Sequence, residues 1–292
     1  MTRAGSRSRR RVIYYLLPSA LALGVLFFLP IATMMRYSVL SAGADVGLTL
    51  EHYQRFFTDS FYLTSLFVTL ATGFLVAALS LVLAYPAAHF YWRAAPRMKS
   101  ILLILLLAPF YVNIVVKVFG WMVLLSRSGP VNGLLMSLGI LDTPFDFLEG
   151  YSGILIMLVH RSLPFMVLLI ASSMDRIDDA VLESARVCGS GPFDVFRKMV
   201  LPLSVPGMLA GSVLIFSLTS AAFVVPLLVG GSAGNRFVSV LMYQSISVTQ
   251  NWYFGAAIGT VLLVTTVLAL TLGTRLVKSM RIGRVISESF VQ

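Results

Sequence analysis

The chain is short of charge, nearly free of cysteine and devoid of nucleotide-binding sequence. Only 12% of its 292 residues are Asp, Glu, Lys or Arg, about half the share of a soluble domain. That shortage excludes an ordinary water-soluble enzyme. A lone cysteine, Cys188, excludes an internal disulfide and is read as a small packed residue. No G-x-x-x-x-G-K-[ST] loop occurs, so this chain is not expected to bind ATP. Gly189-Ser190-Gly191 lacks the third glycine of a dinucleotide fingerprint, and neither H-E-x-x-H nor G-x-S-x-G is found. An intramembrane enzyme would need a nucleophile–base pair or a metal cluster, and neither is evident. His52, His89 and His160 fall in different segments without metal-ligand spacing, so each reads as packed or interfacial. There is no fixed-period repeat and no low-complexity segment.

What the chain has is apolar length. Hydrophobic residues make up 58% and mean hydropathy is +0.90, which points to an all-α integral membrane protein with a single six-helix bundle. A run of about twenty apolar residues crosses a bilayer. Six such runs are expected, at about 12–35, 61–91, 101–125, 151–174, 205–229 and 254–276. This gives a basic arm over 1–11, a six-span domain over 12–277 and a tail over 278–292. Ser8-Arg9-Arg10 and Ala42-Gly43-Ala44 faintly suggest an export signal and its cleavage site. The first apolar run exceeds the roughly 7–15 residues of a signal core, so it is read as a span. The second run is long enough to imply tilt or extension beyond the bilayer.

The net charge of +10 would suggest nucleic acid in a soluble protein. Here the basic residues gather at span ends, and no nucleic-acid partner is expected. Alternate connections carry them. Arg3, Arg7, Arg9, Arg10 and Arg11 lead, then Arg93, Arg97 and Lys99, then Arg176, Arg186, Arg197 and Lys198, then Arg275, Lys278, Arg281 and Arg284. The intervening loops carry only Arg36, Arg55, Arg127 and Arg236. By the positive-inside rule both termini and the 178–202 connection lie in the cytoplasm. Tyr243 and Trp252 suit a membrane interface. Gly207-x-x-x-Gly211 and Gly255-x-x-x-Gly259 permit close helix approach, either inside the bundle or at a pore or dimer seam.

The connection between the fourth and fifth spans is the most informative stretch. Asp178 or Asp179 is a suitable N-cap, and a short helix follows through Cys188. Gly189 can take the left-handed turn that ends it. Pro192 suits the first turn of a second helix. On that helix Phe193, Phe196 and Val200 share one face, while Asp194, Arg197 and Lys198 lie elsewhere. Pro202 is expected to mark the boundary with the next span. The segment reads as a helix-turn-helix elbow outside the bilayer, with an apolar face that invites a partner protein.

Its spacing is also informative. Glu183-Ser184-Ala185, three residues, Gly189, nine residues and Met199-Val200-Leu201-Pro202 resemble the EAA loop of bacterial ABC-importer permeases. That loop reads Glu-Ala-Ala, three residues, Gly, nine residues, Ile-x-Leu-Pro. The departures are Ser184 for Ala and Met199 for Ile, both close in size. Val116-Lys117-Val118-Phe119-Gly120-Trp121, Gly133-Leu134-Leu135, Pro164 to Leu168, Leu201 to Gly207, Ala210-Gly211 and Pro226 to Gly231 are similar to the spermidine/putrescine permease group. The basic arm and long first span look more like the first permease of a polyamine-type pair than the second. The match is specific from about Ala108 onward and rests on layout before it.

The resemblance implies a type I ABC-importer permease fold in a bacterial inner membrane. It implies a second permease subunit, two ATPase subunits that hold ATP and Mg, and a periplasmic binding protein, with no cofactor on this chain. It also implies that Glu183, Ser184, Ala185, Gly189, Phe193, Phe196, Leu201 and Pro202 couple the chain to an ATPase. Relatives in the group carry polyamines, ferric iron, sulfate, thiamine or phosphonates.

Few ionisable residues fall inside spans: Lys117 in the third, and His160 with Arg161 in the fourth. No Asp or Glu lies well inside any span. Lys117 is therefore expected to face a wet cavity, reach the interface or bond to carbonyls. Lys117 and Arg161, with Tyr111, Asn113 and Trp121 nearby, are candidates for the translocation path; snorkelling to the headgroups is the alternative. The resemblance leans to a polyamine or another amine-bearing solute. A cationic solute prefers carboxylates and aromatic rings, whereas cations along the path suit an anion or zwitterion such as an opine, an amino acid or a phosphonate. A secondary transporter would show paired broken helices or intramembrane carboxylates, and the sequence signals neither.

Overall fold

The computed structural model describes residues 4–41, 47–234 and 236–279. Met1 to Arg3, the Ala42-Gly43-Ala44 site with Asp45, and the tail beyond Ser279 with Arg281 and Arg284 lie outside the described residues. In chain order the helices are α1 (Ala4–Tyr37), α2 (Glu51–Thr58), α3 (Ser60–Arg93), α4 (Pro96–Tyr111), α5 (Ile114–Leu125), α6 (Pro130–Ser137) and α7 (Tyr151–Met174). There follow α8 (Asp179–Val187), α9 (Pro192–Val195), α10 (Leu201–Ser220), α11 (Val224–Leu228), α12 (Gly231–Gly234), α13 (Val238–Tyr243) and α14 (Trp252–Ser279). Two π-helical turns, Phe196–Val200 and Gln244–Val248, extend α9 and α13. Among the described residues, six helical stretches are long and apolar enough to cross a membrane.

Three expected boundaries are corrected. The third span is not one helix over 101–125. It breaks at Val112–Asn113, and the apolar stretch of spanning length is Ile114–Ser137, which runs on through α6. One signal was present in the sequence. Pro109 lies inside α4 without ending it, but the Asn113 side chain caps α5 by accepting from the Val115 N–H at 2.8 Å. The fifth span does not reach Val229; α10 stops at Ser220 and α11 is a separate short helix. Nor does Pro202 mark a boundary. Helix runs unbroken from Pro192 to Ser220, because the π turn supplies a Leu201 N–H bond to the Phe196 carbonyl and places Pro202 in the first turn of α10.

The described residues fall into two compact units, Met1–Ser60 with Met242–Leu262 and Phe61–Leu241 with Leu263–Gln292. In the first, the end of α1 is tied to α2. Ser38 and Tyr53 share a hydroxyl hydrogen bond of 2.7 Å, and His52 Nε2 lies 3.0 Å from the Leu40 carbonyl. Leu40 and Leu48 form an antiparallel bridge. Phe56 is fully buried, and Arg55 stands 4.4 Å over the Phe254 ring. Gly255 and Gly259 face Ile246, Met242 and Met34.

The second unit is built on α7 packed against α10. Gly207 lies against the backbone of Leu169 and Ile170, and Gly211 against the Met166 sulfur. The Gly207 N–H donates to Ser173 Oγ at 3.1 Å. Both glycine pairs therefore serve close packing within the chain. Three polar contacts inside this unit cross between elements: Tyr85 with Ser204 at 3.1 Å, Thr72 with Tyr151 at 2.5 Å, and the Val238 N–H to Thr69 Oγ1 at 3.0 Å. Between α5 and α7, Asn132 is fully buried. It accepts from the Phe145 N–H and donates to the Ser126 and Phe145 carbonyls, at 2.9, 2.9 and 3.0 Å. Arg127 donates to Asp146 at 2.9 Å on the same loop.

Candidate functional site

The elbow forms as its residues dictate. Asp178 Oδ1 accepts from the Ala180 N–H at 2.9 Å and starts α8. Gly189 ends it with φ of +81°, a conformation costly for any residue with a Cβ. The Ser190 N–H bonds to the Ala185 carbonyl at 3.1 Å, the six-to-one bond of a Schellman turn. Pro192 then opens the next helix.

Helical spacing gives α8 two faces. Leu182 and Ala185 are buried, while Val181, Glu183, Ser184 and Val187 are exposed. The Ser184 hydroxyl donates to the Val181 carbonyl at 2.9 Å, so its polar atom is satisfied on its own helix. Val187 is 88% exposed and Phe193 72%, large apolar surfaces at the outer corner of the elbow. Gly189 is exposed, and Asp194 pairs with Lys198 at 2.8 Å.

Two expectations about this region change. Cys188 is exposed rather than packed, because it sits at the end of α8 beside the turn. Phe196 does not share an outward face with Phe193. It is half-buried, edge-on to Tyr85 and His89 of α3 at 5.9 and 5.6 Å. Leu201 and Pro202 are half-buried and Val200 is buried, which roots the elbow in α10.

Some of the intramembrane candidates converge. Lys117, Trp121 and Arg161 line one pocket of about 30 Å³ with His160, Phe110, Pro164 and others, room for one or two waters. Trp121 and His160 meet edge-to-face at 5.1 Å. Tyr111, 89% exposed, and Asn113, the cap of α5, do not line it. Lys117 Nζ donates to the Pro109 carbonyl at 2.8 Å. The last carbonyls of a helix lack intrahelical donors, so this ammonium closes the end of α4 across the break and complements its dipole. His160 joins the group although its lack of ligand spacing gave no hint of it; only its position beside Arg161 was legible.

Among the described residues, no group of His, Cys, Asp and Glu could hold a metal ion. The features that define the chain are several membrane-length helices, an outward polar elbow continuous with one of them, and a cation-lined pocket within the apolar stretch. Together they make a transport subunit.

The comparisons agree. Residues 43–282 match the family described as binding-protein-dependent transport system inner membrane component, and the chain belongs to that family. It is similar to the spermidine/putrescine transport system permease protein PotB of Escherichia coli (strain K12), with 34% identity over 72% of this chain and 75% of the relative. The PotB of Haemophilus influenzae is 31% identical over 72% and 73%. In fold it is similar to a chain of a bacterial alginate ABC transporter, at 17% identity and a TM-score of 0.77, covering 94% of this chain and 96% of that one. A chain of the MetNI methionine ABC transporter gives 0.57 at 16% identity, covering 74% and 94%. The protein is a multi-pass inner-membrane permease subunit of an ABC importer, not an enzyme. The broken third span, a feature also of secondary carriers, belongs here to an importer permease.

Proposed function

We propose that this chain forms half of a solute pathway, paired with a second permease subunit, and that its elbow docks on one of two cytoplasmic ATPase subunits carrying ATP and Mg. The observation that carries the reading is the elbow. It presents Glu183, Val187 and Phe193 outward on a turn fixed by Gly189, and its second helix continues without a break into α10. A push on the exposed corner is thus delivered directly to a helix that packs closely on α7.

Both termini and the elbow face the cytoplasm, in keeping with the charge asymmetry of the loops. A loaded periplasmic binding protein docks on the opposite side. Closure of the ATPase pair moves the two elbows, the pathway opens outward to receive the solute, and hydrolysis returns it inward. Glu183 pairs with a basic group of the ATPase, and Phe193 supplies apolar contact. Phe196 holds the elbow to Tyr85 and His89 instead of reaching the partner. The polyamine permeases among the relatives support an amine-bearing organic solute.

The test is coupling in proteoliposomes. Glu183→Lys and Gly189→Pro are expected to assemble in the membrane yet separate ATP hydrolysis from uptake. Wild-type coupling in both variants would contradict the proposed role of the elbow.

A further inference from the structure

The pocket's two cations have different surroundings. The Lys117 ammonium is engaged with the Pro109 carbonyl at 2.8 Å. Arg161 forms no hydrogen bond or ion pair among the described residues. It lines the pocket shared with Lys117, His160 and Trp121 and also a smaller one beside Ser162 and Thr219. All the residues lining these two pockets come from α4, α5, α7, α10 and α11, and none of those helices contains an Asp or Glu. Arg161 also lies far from either end of its helix. At 1.5 Å per residue it is about 15 Å from the start of α7 and about 20 Å from its end. Snorkelling operates near helix ends, so it does not account for a half-buried guanidinium at mid-span. A charge held there without a partner marks a site for a group of opposite charge.

We propose that Arg161 is a specificity-determining residue of the pathway and that the solute carries a carboxylate beside its amine. The guanidinium presents planar paired donors that match a carboxylate bidentately. Phe110 and Trp121, with the His160 ring, wall a pocket of about 30 Å³, which would receive the carboxylate group while the rest of the solute stays in the pathway outside it. Lys117 is a positioning residue: its ammonium shapes the pocket by holding the end of α4 and is not the solute's ligand. The assignment rests on the importer reading and narrows the solute from any amine to a zwitterionic amino compound.

Ornithine and putrescine are suitable probes, since they differ by one carboxylate. Each is titrated onto the assembled permease–ATPase complex without its binding protein, and saturable thermal stabilisation gives an apparent Kd. Ornithine is expected to bind at least about tenfold more tightly than putrescine, the scale of a charge-assisted hydrogen bond. The preference should vanish in Arg161→Gln and survive in part in Arg161→Lys. Equal or tighter putrescine binding, an undiminished preference in Arg161→Gln, or saturable binding of neither probe overturns the proposal. Should Arg161→Gln fail to assemble, the wild-type preference and the Arg161→Lys variant decide. The importer reading is judged separately, by whether an ATPase subunit copurifies and uptake requires ATP.

Discussion

Replacing Gly207 or Gly211 by alanine adds the same methyl group to the same helix, yet the two outcomes should differ. A Cβ at Gly207 meets the Leu169 carbonyl oxygen, the Ile170 Cα and the Ser173 Cβ. Two of those atoms are backbone of α7, so relief requires the helices to part. Overpacking of this kind costs about 1–3 kcal/mol, and the upper end is expected where backbone must move. Alanine regains about 1 kcal/mol over glycine in helix propensity, leaving Gly207→Ala about 2 kcal/mol less stable. At about 2–4 °C per kcal/mol for a chain of a few hundred residues, the midpoint falls by about 4–8 °C. A Cβ at Gly211 meets the Met166 sulfur, part of a thioether chain with rotatable bonds on either side. Its adjustment is expected to cost about as much as the propensity gain of about 1 kcal/mol, so the midpoint should stay within about 2 °C. Thermal unfolding of both variants in one detergent provides the comparison. Coincident melting, or a lower midpoint for Gly211→Ala, would refute close α7–α10 backbone contact at Gly207.

Lys117→Met leaves the Pro109 carbonyl without its donor, a loss of about 1.5–3 kcal/mol partly offset by no longer burying a charge; thermal unfolding should show a lower midpoint that Lys117→Arg largely restores. Asn132→Ala strands the Phe145 N–H and two carbonyls in a buried site, so a loss of about 2–4 kcal/mol and earlier protease cleavage across 138–146 are expected. Asp146 titrates below the usual carboxylate range because Arg127 hydrogen-bonds to it, with help from the Leu148 and Glu149 N–H groups. A depressed folded value means that its contribution is present above the unfolded pKa of about 3.9 and is lost as pH falls through the lower folded value. Protease protection of this loop should therefore be level between about pH 5 and 8 and decline only in stronger acid, while Asp146→Asn weakens it at neutral pH.

Much of the elbow was legible because its determinants are local. An aspartate cap, a glycine with positive φ and a proline in a first turn each act within a few residues, and all three stand where the sequence placed them. Pro202 misled because a proline ordinarily interrupts a helix, whereas a π turn five residues long absorbs it here. The direction of Phe196 was not legible, since residues three apart differ by about 60° around a helix axis, enough to leave Phe193 outward while Phe196 packs on α3. The break at Val112–Asn113 left a signal in Asn113, the cap of α5, but the apolar run around it concealed it. The reach of Lys117 back to Pro109 depends on the path of the chain through that break, which residue spacing alone does not reveal. Arg161 was legible as a mid-span cation. That no span carries a carboxylate to pair with it was legible too; that it shares a pocket with Lys117, Trp121 and His160 emerged only from the fold.

The claim on which the rest depends is that an ATPase subunit grips the elbow's exposed corner. A benzophenone amino acid at position 187, in place of a valine that is 88% exposed, reports on that directly in the assembled transporter. Illumination should give an adduct between this chain and the ATPase subunit, with a yield that changes on ATP binding. An adduct with the periplasmic binding protein, or none with the ATPase while the complex is intact, would contradict the account.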